Sequence, residues 1–399
     1  MIFLKYRSLL LLLFSIALER FAYYFVSFVL LYFMITTHEL GGIAFPQDKA
    51  LKIASIFSIG ILCGPIVLAP VIDKFLGLYK ASLYGGICLV ISYFFTALSM
   101  FLFPNFILIA LIFCVVGCSL IKPALFVLVG KLYPNHHLNQ DISYIVFLLI
   151  GSSASFISAF LASKFLYSTF YYKYMFLFSS ILMCCYTGVV YFLNKKNKDL
   201  FLKDKNDQKS LSIFLVTLIY VLCLLMGLNG AMFNRVISFS TSLTYWGVIF
   251  LISATLLILW KNLENQRKTI RYFYIVGWFF IFFFLINIFV KNFGIISSYI
   301  PAVFSSIDTL FNFLIFPLFL SFLFRYSNKN YLATFQASAF FIFSGSSLVA
   351  KKLFEKLNLS TDQTLWLLSF SVFVAMCLLI GLFIKLKKLS EQELLEKNS

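Results

Sequence analysis

Long apolar runs separated by short polar segments dominate this chain of 399 residues. A helix needs about 20 apolar residues to cross a bilayer, and these runs lack the alternation of a membrane-barrel strand. The pattern therefore predicts an all-α integral membrane protein with twelve transmembrane helices. Their approximate bounds are 8–35, 51–72, 81–103, 106–130, 142–163, 174–193, 211–233, 243–260, 272–290, 300–324, 332–350 and 363–384. The first run is longer than a signal peptide and carries charges in its middle, so we expect it to stay in the mature protein.

The only sustained polar stretch lies near the middle of the chain, at residues 194–210. It has mixed charges and neither Gly nor Pro, as expected for a mobile or partly helical connection between membrane domains. We predict an N-terminal six-helix bundle at 1–193, a cytoplasmic linker at 194–210, and a C-terminal six-helix bundle with a short cytoplasmic tail at 211–399.

Two sequence features recur at one spacing in the two halves. A Gly-Ser-Ser triplet starts at Gly151 and again at Gly345, and a proline lies within a predicted span at Pro123 and again at Pro317. The members of both pairs are 194 residues apart. Many transporters are built from repeated halves, so the shared offset indicates a duplicated six-helix unit.

The composition agrees with a membrane location and predicts an orientation. Hydrophobic residues make up 62% of the chain and charged residues 12%, against about 25% charged in soluble domains. If both termini are cytoplasmic, 21 of the 32 Lys and Arg residues lie on the cytoplasmic side and 8 on the other. Basic residues concentrate in cytoplasmic loops, so we predict this orientation in a multi-pass cell membrane, of the bacterial inner-membrane type. The net charge of +17 then reflects orientation in a lipid bilayer rather than nucleic-acid binding.

No feature of the chain predicts an enzyme, a metal site or a cofactor. The eight cysteines fall inside predicted spans, where we expect them to pack as small buried apolar side chains. No predicted span contains a histidine, and no pair of carboxylates has catalytic spacing. We expect a functional monomer without a cofactor.

Ionisable residues inside the predicted spans are the candidate functional groups, because a charge in the bilayer costs roughly 2.5–3.5 kcal/mol on insertion scales. They are Glu19, Arg20, Lys122 and Asp308. In span 1 the residues that share one helical face within about 140° are Ile16, Glu19, Arg20, Tyr23 and Tyr24. We expect the carboxylate, the guanidinium and the two phenols of this face to line a central cavity. The alternative is a polar stripe that only joins helices.

Three segments of the N-terminal half resemble the proton-dependent oligopeptide transporter family of the major facilitator superfamily. Residues 16–24 read I-x-x-E-R-F-x-Y-Y, where the family signature is E-x-x-E-R-F-x-Y-Y. Residues 73–80 are similar to the family's D-x-x-x-G-x-Y-K, and residues 117–134 to G-x-x-x-x-K-P-N followed by G-x-L-Y-P. The resemblance implies a major facilitator fold, with two pseudo-symmetric six-helix bundles and cytoplasmic termini.

Three positions depart from the family pattern. Ile16 replaces the first glutamate of the signature, Ala124 replaces the asparagine after Lys-Pro, and Asn312 occupies the position of the span 10 glutamate. In the family that glutamate pairs with the equivalent of Lys122. Asp308 lies one helical turn before Asn312, so we hypothesise that Asp308 takes over this pairing. The alternative is a solvated Asp308 near the membrane surface.

The resemblance implies a secondary active transporter that moves di- and tripeptides with protons by alternating access. The residues implied in proton coupling are Glu19, as the proton carrier, with Arg20 and Lys122 beside it. The implied substrate-binding residues are Arg20, Tyr23, Tyr24, Lys122 and Asn312. We predict gating or charge pairing for Asp308, which the family pattern does not include, and for Asp73 and Lys80. The alternative function is that of a diverged member moving amino acids or another small metabolite, weakly coupled or uncoupled.

Overall fold

The computed structural model describes residues 2–101, 103–133, 137–165, 172–196, 213–236, 316–325 and 327–357, and the single positions 367, 371, 374, 378 and 381. Every regular element in these residues is helical, which confirms the predicted all-α class for this part of the chain. Six helical stretches in these ranges are long and apolar enough to cross a membrane. The chain is therefore a multi-pass membrane protein.

The first six helices follow the first six predicted spans. They are α1 (Ile2–Ile35), α2 (Gln47–Val71), α3 (Gly77–Leu98), α4 (Phe106–Lys131), α5 (His137–Phe165) and α6 (Tyr172–Lys196), with a 3-10 turn at His38–Leu40 before α2. Helix ends differ from the predicted bounds by a few residues, because polar residues beside an apolar run can continue the backbone hydrogen bonding.

Three further helices belong to the second half of the chain. They are α7 (Ile213–Val236), α8 (Phe316–Arg325) and α9 (Leu332–Leu357), with a 3-10 turn at Lys329–Tyr331 before α9. The predicted spans 243–260 and 272–290 lie outside the described residues, as do most of span 363–384 and most of the linker. The total of twelve spans, the cytoplasmic termini and the domain boundaries therefore stay predictions.

The junction between α2 and α3 is a helical turn rather than an open loop. The backbone continues from α2 through a π-helical turn at Ile72–Leu76 directly into α3. Gly77 has a φ of +74°, a left-handed conformation that residues with a Cβ rarely adopt. The glycine therefore breaks the helical path within a single residue, and it leaves Asp73 in the π-helical turn just before the break.

The described residues fall in two compact units. The first comprises Met1–Asn135, Ser143–Lys209 and Leu320–Phe341, and the second comprises His136–Ile142, Ser210–Phe319 and Ile342–Ser399. Within the second unit, Phe316 of α8 stacks on Phe343 of α9 with ring centroids 4.6 Å apart. A side chain at Gly227 of α7 would meet Ser346 and the backbone of Phe343, so α7 and α9 approach closely there.

In the first unit, α3 and α4 pack at backbone distance through two glycines. A Cβ on Gly85 would lie 2.9 Å from the Gly117 carbonyl oxygen, and one on Gly117 would lie 2.8 Å from the Gly85 carbonyl oxygen. Small residues permit such close helix packing in membranes. Ser92 also donates its hydroxyl to the Ala110 carbonyl at 2.7 Å. These contacts fix α4 against α3 and thereby set the position of Lys122, five residues after Gly117.

The cysteines divide between the interior and the surface. Cys114, Cys118 and Cys223 are buried, whereas Cys184 and Cys185 are exposed on α6. The prediction of burial is wrong for these two residues. A membrane-spanning helix has an apolar outer surface as well as a packed face, so apolar context alone does not show which face a residue occupies.

Candidate functional site

The predicted polar face of α1 is divided in the structure. Glu19 is completely buried, and the side chain of Arg20 is 11% exposed. Arg20 Nε lies 3.2 Å from Glu19 Oε2, so these sequence neighbours form an ion pair. Tyr23 and Tyr24 are partly exposed, and their rings meet edge to face with centroids 5.1 Å apart. Glu19 therefore lies inside the packed helices, while the two phenols lie nearer to an accessible surface.

Buried hydroxyl groups on α3 and α6, two of them within electrostatic range of Glu19, do not stand out in the sequence. Ser82 and Tyr93 of α3 and Tyr186 of α6 are buried. Their hydroxyl oxygens and both oxygens of Glu19 have no hydrogen-bond partner within the described residues. Tyr93 and Tyr186 lie within electrostatic range of Glu19. A carboxyl group can donate a hydrogen bond to a hydroxyl group when it is protonated and can accept one when it is ionised.

Lys122 is buried in α4 and lies between two aromatic rings. Lys122 is 4% exposed. Its Nζ lies 5.3 Å from the ring centroid of Tyr23 and 5.4 Å from the ring centroid of Phe340 in α9. A cation within about 6 Å of a ring is attracted to its π face. Lys122 has no ion pair among the residues that the structure describes. An ammonium held in this way can bind an anionic group from outside the protein.

Phe340 is a residue that sequence reasoning missed. The chain contains 52 Phe residues, so one more Phe in an apolar span carries no signal by itself. Phe340 also lies 6.1 Å from the Phe126 ring, measured between centroids, which places it against α4 at two positions.

Gly151 brings α5 close to the charged face of α1. A Cβ at Gly151 would lie 3.4 Å from Ile16 Cγ1 and 3.5 Å from Arg20 Cγ, which is ordinary van der Waals contact. There is room for a methyl group at this position. Ile16 is 2% exposed, so the position that carries glutamate in the family signature is used here for apolar packing.

Asp73 caps the first turn of α9. Its Oδ1 accepts the Ala333 N–H at 3.0 Å, and its Oδ2 accepts the Thr334 N–H at 2.9 Å and the Thr334 hydroxyl at 2.7 Å. A carboxylate at a helix N-terminus satisfies free N–H groups and interacts favourably with the helix dipole. Lys80, predicted to act with Asp73, is exposed on α3 and has no ion pair within the described ranges.

A network of buried polar groups joins α9 to α8, α5 and α4. Gln336 of α9 donates through Nε2 to the Leu320 carbonyl at 2.7 Å and lies 3.5 Å from the Tyr144 hydroxyl. Tyr144 of α5 donates to the Phe126 carbonyl of α4 at 2.8 Å. The signal that could have identified this network is Gln336 itself, since an amide inside a predicted span marks a polar contact.

The structure thus brings Glu19, Arg20, Tyr23 and Lys122 to one region of the first unit, which we call the charged cluster. Asp73 lies in the π-helical turn before α3, and Lys80 lies in the first turn of α3. Asp308 and Asn312 lie outside the described residues, so their predicted roles stay predictions.

Comparisons with known proteins find partial matches to peptide transporters. The chain is 31% identical over 144 residues to the peptide transporter YePEPT of Yersinia enterocolitica, a match that covers 36% of this chain and 28% of that protein. It is 29% identical over 133 residues to the di-/tripeptide transporter of Lactococcus lactis subsp. lactis, covering 33% of this chain and 26% of that protein. These matches span between a quarter and a third of the relatives' own length. No family model matches the chain.

Solved structures share the fold over almost the whole chain. A crystal structure of a POT family transporter in complex with a thioalcohol-conjugated peptide has a TM-score of 0.60 at 16% identity and covers 96% of both chains. The human organic anion transporter MFSD10 has a TM-score of 0.68 at 12% identity, covering 94% of this chain and 99% of that one. At these identities the likeness shows that the chain shares the fold of these transporters.

These relatives and solved structures are transporters rather than enzymes, as the sequence analysis expected for this chain. The similarity to peptide transporters agrees with the resemblance that the residues of α1 and α4 carry. The shared fold agrees with it as well. The chain is thus similar to peptide transporters over about a third of its length, and it shares the fold of solved POT family transporters.

Proposed function

We propose that this chain is a secondary active transporter that carries di- and tripeptides together with protons by alternating access. The observation that carries the proposal is the charged cluster. Arg20 pairs with Glu19, and Lys122 is buried beside Tyr23 without an ion pair among the described residues. These three residues carry two positive charges and one negative charge. Because an uncompensated buried charge is costly, the carboxylate of a bound substrate would balance the cluster.

Each residue of the cluster has a chemical role in binding a peptide. Arg20 can hold a carboxylate through two parallel hydrogen bonds, and Lys122 acts on it as a point charge. Tyr23 and Tyr24 combine aromatic surface with a hydroxyl group, which suits a ligand that has both side chains and backbone polar groups. We assign Asn312 to the peptide's amino end, since an amide oxygen accepts hydrogen bonds from an ammonium group.

Glu19 is the proposed proton carrier. Burial favours its neutral form, whereas a cation held next to it favours the ionised form. A substrate carboxylate that draws Arg20 towards itself would weaken the Glu19–Arg20 ion pair and favour uptake of a proton. Substrate binding and protonation would then occur together, which is the requirement for symport.

The Asp73 cap supplies a contact that can form in one conformation and break in the other. It joins residues 260 positions apart in the sequence through short hydrogen bonds. We propose that it closes one side of the transport pathway, and that Lys80 and Asp308 contribute charge to the same gating.

For Asp308 the specific proposal is a pair with Lys122. Activity lost in Asp308→Lys and in Lys122→Asp should then return in the double variant, and normal transport by Asp308→Asn would contradict the pair.

A second candidate function is transport of amino acids or another small metabolite with weak or no proton coupling. Two departures from the family pattern favour it, Ile16 in the signature and Asn312 in predicted span 10, because both remove an acidic group. A solved POT family transporter in complex with 5-aminolevulinic acid has a TM-score of 0.60 and 16% identity to this chain. A small amino-acid-like substrate is therefore the alternative to a peptide.

Uptake into proteoliposomes separates these functions. Labelled dipeptides should accumulate when the outside is more acidic than the inside, and should only equilibrate when the gradient is removed. Equal uptake in both conditions would contradict proton coupling. Uptake of single amino acids without dipeptides would favour the second candidate.

We place the transporter in a bacterial inner membrane as a functional monomer with both termini cytoplasmic. Proteolysis of the linker from one side only would test this orientation.

A further inference from the structure

A cavity of about 520 Å³ opens between the first turns of α1 and the last turns of α6, within the first unit. Its lining residues are Arg7, Leu11, Val189, Phe192, Lys195 and Lys196. Arg7 lies twelve residues before Glu19, or about 18 Å along the helix axis. The cavity is therefore separate from the charged cluster, and the proposed transport function makes no use of it.

The helix packing places this cavity at one end of the membrane-spanning region. Phe33 of α1 contacts Tyr172 and Phe176 at the start of α6, whereas Phe25 contacts Phe178 further along. The two helices are thus antiparallel, and the beginning of α1 lies beside the end of α6. From Arg7 to Phe33 the helix rises about 39 Å, which exceeds the hydrocarbon thickness of about 30 Å. Arg7 therefore lies at the level of lipid headgroups, on the side predicted to face the cytoplasm.

The lining combines cations with apolar walls. Arg7, Lys195 and Lys196 are exposed and have no ion pair within the described residues. The walls are formed by apolar side chains, among which Phe192 is 64% exposed. A small soluble anion would be bound by the cations alone and would leave these walls uncovered. An amphipathic molecule with a phosphate at the headgroup level and acyl chains below it would cover both.

We propose that this cavity binds an anionic phospholipid of the cytoplasmic leaflet. The phosphate is held by Arg7, Lys195 and Lys196, and the acyl chains lie along Leu11, Val189 and Phe192. Basic pockets between transmembrane helices on the cytoplasmic side are suited to anionic headgroups. The lipid would hold the end of α6, which is at Lys196, against the beginning of α1.

Lipid binding to the purified full-length chain tests the proposal. Native mass spectrometry would compare phosphatidylglycerol with phosphatidylcholine of the same acyl chains. Each basic residue near an anionic headgroup contributes about fivefold in affinity, so phosphatidylglycerol should bind at least about tenfold more tightly. The triple variant Arg7→Gln, Lys195→Gln, Lys196→Gln should lose this preference, and Arg7→Lys alone should keep it.

The matched control is the triple variant Lys49→Gln, Lys164→Gln, Lys173→Gln. It removes the same total charge at the start of α2, the end of α5 and the start of α6, outside the cavity. It should bind phosphatidylglycerol like the unmodified protein. Equal binding of the two lipids, or an equal loss in both triple variants, would overturn the proposal. Displacement of the lipid by inorganic phosphate at millimolar concentration would also overturn it, because the occupant would then be a soluble anion.

Discussion

Two carboxylates of the first unit, Asp73 and Glu19, are held in opposite ways. Asp73 accepts two backbone N–H groups and one hydroxyl at the start of α9, at 2.7–3.0 Å. Glu19 is completely buried, accepts no hydrogen bond within the described part of the chain and lies 3.2 Å from the Nε of Arg20. The first carboxylate is fixed by donors that a helix always offers. The second is held by one neighbouring cation, Arg20.

The difference supports separate roles for the two carboxylates, a structural one for Asp73 and the proposed chemical one for Glu19. Donors at a helix N-terminus favour the charged form of a carboxylate, so Asp73 can leave them only when the helix itself moves. A carboxylate with one neighbouring cation and nearby hydroxyl groups can change its protonation state with little movement of the backbone. Asp73 therefore suits a conformational contact, and Glu19 suits proton transfer.

Glu19→Gln should have the largest effect on transport. The amide keeps the shape of the side chain but cannot take up and release a proton as a carboxylate does. Gradient-driven accumulation should therefore fall to passive equilibration, while counterflow exchange remains. Both are measured with labelled substrate in proteoliposomes. The control is Glu39→Gln, an exposed carboxylate outside the spans, which should transport normally. Unchanged accumulation in Glu19→Gln would remove Glu19 as the proton carrier and end its contrast with Asp73.

Lys122→Ala should weaken substrate binding by at least about 30-fold, because it leaves a buried substrate carboxylate without its cation. Lys122→Arg should not restore affinity, since the planar guanidinium differs in shape from an ammonium. The measurement is KM for a dipeptide and for its C-terminal amide, which lacks the carboxylate. The variant should lose affinity for the dipeptide and not for the amide. Unaltered kinetics would show that Lys122 does not contact the substrate.

Gly117→Ala tests whether α4 is held at a fixed depth against α3. The added methyl would meet the Gly85 carbonyl and Leu89, and overpacking of this kind costs about 1–3 kcal/mol of stability. Thermal unfolding of the purified protein should show a lowered Tm. Gly188→Ala is the matched control, because a Cβ there meets nothing within 4 Å. Equal Tm values for the two variants would show that the close packing is not required.

Asp73→Ala should lower the free energy of unfolding by about 0.5–2 kcal/mol, because it removes the cap of α9. Asp73→Asn should lower it by less, since the amide still accepts hydrogen bonds. The expected result is a changed transport rate with little change in KM, because the cap favours one conformation and does not touch substrate. Asp48→Asn, an exposed carboxylate in the first turn of α2, serves as the control. A large change in KM for Asp73→Asn would place Asp73 with Glu19 in the chemistry.

Phe340→Leu should have the smallest effect. Loss of one cation–π contact with Lys122 costs about 0.5–1 kcal/mol, which corresponds to a two- to fivefold rise in KM. Phe340→Tyr keeps the ring and should transport normally. Phe14→Leu, which changes an exposed ring on α1, is the control for general effects of losing an aromatic residue. A Phe340→Leu variant with normal KM would leave Tyr23 as the ring that positions Lys122.

The sequence alone determined the membrane class, the first six helices and the charged residues of the cluster. The reason is physical in each case. A bilayer requires long apolar runs, so the helices are visible without any knowledge of their packing. A charge inside such a run is rare because it is costly, so Glu19, Arg20 and Lys122 stand out individually.

Only the tertiary structure decided which groups these residues meet. Asp73 binds α9 across 260 residues of sequence, and Lys122 meets Phe340, one of 52 Phe residues in the chain. The difference in burial between Glu19 and the two phenols of Tyr23 and Tyr24 also depends on how α1 packs against its neighbours, among them α6. Helix periodicity fixes which residues share a face, but side-chain packing between helices decides which face is buried and what lies opposite to it.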